Sequence, residues 1–182
     1  CGTVGRLPAT IAGTPGEEKT VTPGDRIVMV GGRIGADGIH GATFSSAALD
    51  ETAPIQAVQI GDPITQKRMF DFLIEARDRG LVASITDNGA GGLSSSVGEM
   101  AKASGGAKID LAKAPLKYAG LAPWEIFLSE AQERMTLAVP EGDVSEFLAL
   151  AKRREVDAAV LGTFPDSGVL EVAFGAEPIA VL

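Results

Sequence analysis

Short apolar runs alternate with amphipathic segments along most of the chain. The runs at 26–30, 81–85 and 134–139 are rich in β-branched residues and lie between glycines, prolines or charged residues, which predicts buried strands. Apolar residues at three- and four-residue spacing predict one helix that opens at Asp62-Pro63 and another that ends near Arg153. The remaining predicted elements are a helix at 97–103, a helical or irregular turn at 123–128, and strands at 107–111, 158–162 and 169–172.

The amino-terminal part of the chain differs from the rest. Residues 1–24 are rich in Gly, Pro and Thr, so we expect an extended arm or linker there, followed by a single domain at 25–182. The sequence begins on Cys1 without an initiator Met. We therefore expect the chain to be a fragment of a larger protein.

Composition narrows the class of protein. The 182 residues are 45% apolar, which argues against disorder, and the net charge of −8 argues against nucleic-acid binding. No apolar segment reaches the roughly 18–20 residues that cross a bilayer, so no membrane association is expected. A single cysteine excludes an intrachain disulfide. His40 is the one histidine, which makes a histidine-based zinc site or a Ser-His-Asp triad improbable.

The most informative motif is a glycine-rich turn after the strand predicted at 81–85. Asp87 stands at the carboxyl end of that strand, small residues follow, and a helix is expected to begin near Ser94. Small residues let backbone N–H groups approach a ligand, a helix N-terminus favours an anion, and a carboxylate suits Mg²⁺ bound together with phosphate. The spacing equally fits a tight connection in which Ser caps the helix and Asp87 holds the turn.

Two further segments carry candidate chemistry, and both stay open on the residues alone. The segment 31–41 holds five glycines, which suits either a phosphate-binding loop or a bulged hairpin. The segment 128–134 places Glu130, Gln132 and Glu133 just before a predicted strand. These side chains suit either a ligand site or a solvated loop with a weak ion pair.

Four motifs, in this order, resemble segments of the phosphoribosylformylglycinamidine synthase family. They are the sequences at 31–46, at 58–63, Asp87-Asn88-Gly89-Ala90-Gly91-Gly92-Leu93-Ser94, and Glu130-Ala131-Gln132-Glu133-Arg134. The resemblance runs from about Gly2 to about Val172 and covers one domain of those enzymes. That domain is the first of two carboxyl-terminal-type domains of the aminoimidazole-ribonucleotide-synthetase superfamily. The resemblance implies an α+β fold in which helices flank a mixed β-sheet.

The resemblance also implies an activity in purine synthesis. Members convert formylglycinamide ribonucleotide to formylglycinamidine ribonucleotide: ATP phosphorylates the amide oxygen, and glutamine-derived ammonia then displaces the phosphate. Carried over by motif, Asp87 would bind Mg²⁺, and Gln59, Glu130, Ala131 and Gln132 would contact the substrate. Carboxylate and amide groups suit these roles.

The family's catalytic histidine and most of its ATP site lie in an amino-terminal domain that is not in this chain. No catalytic residue is therefore assigned, His40 is not given that role, and we expect the isolated chain to be inactive. The implied partners are the other synthetase domains and a glutaminase subunit or domain, in the cytoplasm.

Two positions depart from the family pattern. Ala131 stands where the family usually has Ser, which removes a hydroxyl contact but leaves a backbone contact possible, and Asn88 replaces a more usual apolar residue. Two alternative functions remain: a non-catalytic structural or interaction module, and a domain of another superfamily member such as selenophosphate synthetase. The presence of Gln59, Asp87 and Gln132 argues against a purely structural module.

The site residues are expected to meet at one edge of the sheet. Ligand sites in open α/β sheets form where loops at the ends of different strands converge. Gln132 precedes the strand at 134–139, so its loop reaches the Asp87 edge only if that strand runs antiparallel to the one before Asp87. We therefore predict this antiparallel pairing, with Gln59, Asp87 and Gln132 around a shared cleft.

Overall fold

The protein folds around a mixed β-sheet with helices on both faces. The structure is a computed structural model that describes residues 4–11, 13–39 and 59–182. Its strands are β1 (Thr10–Ile11), β2 (Thr14–Pro15), β3 (Arg26–Gly31), β4 (Ser84–Asp87), β5 (Ala107–Asp110), β6 (Arg134–Val139), β7 (Ala158–Thr163), β8 (Leu170–Phe174) and β9 (Glu177–Val181). Its α-helices are α1 (Pro63–Asp78), α2 (Gly92–Ser104), α3 (Pro123–Leu128) and α4 (Val144–Arg153).

Seven of these strands form one sheet in the order β4-β6-β3-β7-β5-β8-β9. All neighbouring strands are antiparallel except β5 and β8, which are parallel. The α+β fold with a mixed sheet is therefore confirmed. The antiparallel pairing predicted next to Asp87 is present, because β4 pairs with β6 and Asp87 lies opposite Met135.

The central strand β3 explains why two helical layers form. Its side chains alternate, so Ile27 and Met29 enter one core while Val28 and Val30 enter the other. The first core packs against α2 and α3, and the second packs against α1 and α4. A strand that is apolar on both faces must be covered on both faces, as it is here.

Helix α1 begins where the sequence predicts. The Asp62 side chain accepts hydrogen bonds from the backbone N–H groups of Ile64 at 2.9 Å and Thr65 at 3.3 Å, which caps the helix. Phe72 packs edge-on against Phe147 of α4, with ring centroids 5.0 Å apart. The apolar residue Ile64 is exposed, because it lies in the first turn of the helix, beyond the core.

Some boundaries differ from those expected. The predicted strand at 81–85 lies at Ser84–Asp87, since Leu81 is buried in the connection from α1. Strand β9 and the β1–β2 hairpin were not predicted.

His40 and the end of the glycine-rich segment lie outside the described residues, and the proposed division at residue 24 stays a prediction. No helix among the described residues is long and apolar enough to cross a membrane.

Candidate functional site

The turn after β4 is built from close backbone contacts. Asp87 is exposed, and its Oδ1 accepts the backbone N–H of Gly89 at 2.9 Å. Gly91 and Gly92 both have positive φ, +80° and +56°, and α2 begins at Gly92. A Cβ at Gly92 would lie 2.1 Å from the carbonyl oxygen of Ser129. Glycine is needed there because the turn lies directly against the loop at 129–133.

The buried side chain of Arg134 stabilises the loop at 129–133. Its side chain is 3% exposed, and its guanidinium donates to the carbonyl oxygens of Ala131 at 2.8 Å and Ser129 at 2.5 Å. Burial lowers the pKa of Arg134 to about 10, while the charge of Asp37 acts in the opposite direction. The residue therefore stays protonated at neutral pH, and its planar donors fix the path of the loop around it.

Glu130, in this loop, forms hydrogen bonds with three segments that are distant in sequence. Its Oε1 accepts the backbone N–H of Gly91 at 3.2 Å, and its Oε2 accepts the side-chain Nε2 of Gln59 at 3.0 Å. Its backbone N–H donates to the carbonyl oxygen of Asp37 at 2.8 Å. The carboxylate thus lies at the positive end of α2, where a negative charge is favoured.

The next two residues of the motif point in opposite directions. Ala131 is 1% exposed, its N–H donates to Ser129 Oγ at 3.2 Å, and its carbonyl accepts from Arg134. Both of its backbone polar groups are therefore used within the loop. Gln132 is exposed, and its Nε2 donates to the Glu130 carbonyl at 3.2 Å.

Gln132 and Glu133 line a cleft of about 380 Å³ between the β3 end and the start of α1. Three cations also line it, each paired with a carboxylate: Arg33 with Asp157 at 3.0 Å, Arg68 with Glu155 at 3.0 Å, and Lys117 with Asp37 at 2.6 Å. The described residues that line it do not include Gln59 or Asp87. The structure joins Gln59 to the Glu130 side chain and Gln132 to the Glu130 backbone. A single cleft shared by Gln59, Asp87 and Gln132 stays a prediction.

The residues around Asp87 fit one kind of metal binding. No group of three or more His, Cys, Asp or Glu side chains that suits a metal occurs among the described residues. The described residues around this turn therefore do not form a metal site made of protein ligands alone. A single exposed carboxylate suits Mg²⁺ that retains water and is also held by ligand phosphates.

Asn88, which departs from the family pattern, forms buried hydrogen bonds in the structure. Asn88 is 4% exposed, and its Oδ1 lies 2.7 Å from Ser96 Oγ of α2 and 2.9 Å from Thr136 Oγ1 of β6. Its Nδ2 is buried and has no partner among the described residues. The amide ties the turn to α2 and β6, a contact between residues 8 and 48 positions apart that local pattern does not reveal.

Comparison with known proteins gives a consistent family. The family model described as AIR synthase related protein, C-terminal domain, matches residues 22–175. Phosphoribosylformylglycinamidine synthase subunit PurL of Methanopyrus kandleri is 45% identical over 162 residues, which covers 87% of this chain and 22% of that protein. The resemblance drawn from the four motifs is confirmed.

Solved structures that resemble this chain belong to the same family. The structure of T. maritima PurL complexed with FGAR has a TM-score of 0.81 and 33% identity, and the match covers 91% of this chain and 28% of that one. The structure of T. maritima PurL complexed with ATP has a TM-score of 0.76 and 30% identity, over 91% of this chain and 26% of that one. The chain thus spans about a quarter of the length of these relatives.

Proposed function

We propose a function that proceeds from one premise: the chain belongs to the family of AIR synthase related proteins, as their C-terminal domain. Within a longer protein, it forms part of a phosphoribosylformylglycinamidine synthase. That enzyme converts formylglycinamide ribonucleotide to formylglycinamidine ribonucleotide with ATP and ammonia. This domain contributes substrate contacts and a Mg²⁺ ligand, and the ATP site lies mostly in another domain.

The observation that best supports the proposal is the junction at Glu130. All four family motifs meet there. The Glu130 carboxylate accepts hydrogen bonds from Gln59 and Gly91, 71 and 39 positions away in sequence, and its backbone N–H donates to Asp37. Gln59 is exposed and Gly91 and Glu130 are half-buried, so the motifs converge at the surface of the domain. Their convergence at the carboxyl end of β4 matches the usual position of a ligand site in an open sheet.

The chemistry divides between amides and a carboxylate. Gln59 and Gln132 are exposed and carry amide groups that suit the amide and hydroxyl groups of a glycinamide ribonucleotide. Asp87 is the residue that would hold Mg²⁺, which supplies positive charge to phosphate oxygens when bound. Arg134 fixes the loop at 129–133, which carries Glu130 and Gln132. Because these residues are already ordered, binding of the substrate costs less conformational entropy.

The other assignments follow from the proposed reaction. Ammonia would come from a glutaminase subunit or domain, and the remaining synthetase domains would supply the rest of the active site. The proposed reaction belongs to cytoplasmic purine synthesis. Because this domain carries only part of the site, the isolated 182-residue chain should release no ADP with substrate, ATP and ammonia.

The test is turnover by the full-length protein that contains this chain. The unsubstituted protein should form formylglycinamidine ribonucleotide with ATP and ammonia. The Asp87→Asn variant keeps the shape of the side chain and removes its charge, so its kcat/KM should fall at least about 100-fold. Asp78→Asn, at the exposed end of α1, is the matched control and should stay within about twofold.

Three results would contradict the proposal. Robust turnover by the isolated chain would show that the site is not shared with other domains. Near-normal turnover by Asp87→Asn at ordinary Mg²⁺ would remove the ligand assignment. A full-length protein that binds neither formylglycinamide ribonucleotide nor ATP would favour a structural module.

A further inference from the structure

Each oxygen of the Glu130 carboxylate accepts a hydrogen bond from the protein. One oxygen accepts the Gly91 N–H at 3.2 Å and the other accepts the Gln59 side chain at 3.0 Å. A carboxylate with both oxygens engaged in this way has less capacity for a ligand than an open one. Its effect on a ligand would therefore come through the groups that it holds.

The chemistry of the pair fixes the orientation of Gln59. An ionised carboxylate only accepts hydrogen bonds, so the Gln59 amide must present its NH₂ group to Glu130. The amide oxygen Oε1 then points away from Glu130, and among the described residues no group donates to it. Gln59 is exposed, so this oxygen is accessible to a hydrogen-bond donor on a ligand.

The glycine-rich segment closes over this pair. Gly38 has φ +69°, and a Cβ there would lie 2.6 Å from Gln59 Nε2 and 2.7 Å from Glu130 Oε2. The Asp37 carbonyl just before it accepts the Glu130 N–H at 2.8 Å. Backbone from a third segment therefore lies directly against the hydrogen bond and limits how the two side chains can turn.

We propose that Glu130 is a positioning residue that orients Gln59 as a hydrogen-bond acceptor, so that the site selects a ligand group carrying N–H or O–H at this point. This inference rests on the proposed function for the identity of the ligand, a glycinamide ribonucleotide whose amide and hydroxyl groups supply such donors. The inference differs from the family-based expectation, in which Glu130 contacts the substrate itself.

Exchanging the two side chains gives a specific test. In Glu130→Gln, the new amide keeps its oxygen on Gly91 and turns its NH₂ towards Gln59, so Gln59 must turn its own oxygen inwards and present NH₂ to the ligand. In Gln59→Glu, two carboxylates face each other. In the double exchange, Glu at position 59 accepts from Gln at position 130, and an acceptor again faces outwards.

The expected kinetics follow from these orientations. In the full-length protein, each single variant should raise the KM for formylglycinamide ribonucleotide about tenfold with a smaller change in kcat. The double exchange should return KM to within about threefold of the unsubstituted value. The matched control exchanges Gln66→Glu and Glu99→Gln, both at exposed helix positions, should leave KM unchanged singly and together.

A second measurement separates this inference from the proposed function. In the isolated chain, the folding equilibrium constant should fall about three- to tenfold in each single variant and recover in the double exchange. If the unsubstituted full-length protein shows no turnover, the proposed function fails, and this cycle alone decides the positioning role. Additive losses in the cycle would overturn the pairing. A Glu130→Gln variant with unchanged KM in an active enzyme would overturn the claim that Gln59 must face the ligand as an acceptor.

Discussion

Replacing Gly92 with Ala should destabilise the domain, whereas the same replacement at Gly98 should stabilise it. Both glycines lie on α2, but only Gly92 has a positive φ, +56°, and touches another segment. A Cβ at Gly92 would lie 2.1 Å from the Ser129 carbonyl oxygen, while a Cβ at Gly98 meets nothing within 4 Å. The pair therefore tests whether the turn and the loop at 129–133 are in direct contact.

The two effects differ in sign and size. A side chain in the left-handed region costs roughly 1–2 kcal/mol. The Ser129 carbonyl must also move, which weakens its bond from Arg134 and adds about 1–3 kcal/mol. Gly92→Ala should therefore lose roughly 2–5 kcal/mol. Gly98→Ala gains about 1 kcal/mol, because Ala is the better helix former.

Urea unfolding followed by circular dichroism measures both free energies, and thermal unfolding gives a second estimate. For a chain of 182 residues, each kcal/mol shifts Tm by about 2–4 °C. We expect Gly92→Ala to lower Tm by about 4–20 °C and Gly98→Ala to raise it by about 2–4 °C. Equal shifts in the two variants would refute the close contact between the turn and the loop.

Two further predictions concern the groups beneath the site. Arg134→Lys should lower the free energy of unfolding by about 1–3 kcal/mol, because one ammonium cannot replace the planar guanidinium donors to the carbonyls of Ala131 and Ser129. The control Arg153→Lys, at an exposed position, should change this free energy by less than about 0.5 kcal/mol. Ser96→Ala removes the hydroxyl 2.7 Å from Asn88 Oδ1 and should cost about 1–2 kcal/mol, whereas Ser95→Ala on the same helix should be neutral or slightly stabilising. Urea unfolding measures all four, and equal values within either pair would remove the role given to the buried contact.

The sequence predicted the central strands best, for a physical reason. Strands β3 and β6 are buried on both faces, so residues 27–30 are all apolar and residues 135–139 are apolar except for Thr136. The start of strand β4 was predicted three residues too early. Leu81 is apolar because it packs in the core with residues of α1, and not because it belongs to the strand. Strand β9 carries Pro178 and is mostly exposed at the edge of the sheet, so it lacks the alternation that marks a strand.

The sequence named candidate residues for the site but not the contacts between them. The motifs named Gln59, Asp87 and Glu130, and polar side chains next to strand ends are visible in the sequence. The hydrogen bond between Gln59 and Glu130 joins residues 71 positions apart, and no local pattern specifies it. The buried position of Arg134 was equally hidden, because an arginine at the start of a strand usually lies in solvent.

Hydrogen exchange on the full-length protein tests the central claim most directly. Peptides that cover 89–92 and 129–133 would be followed by mass spectrometry, with and without saturating formylglycinamide ribonucleotide. We expect formylglycinamide ribonucleotide to slow exchange in both segments and to leave exchange at the exposed end of α4, at Arg153, unchanged. Unchanged exchange in both segments at saturation, in a protein that turns over, would show that the substrate binds elsewhere.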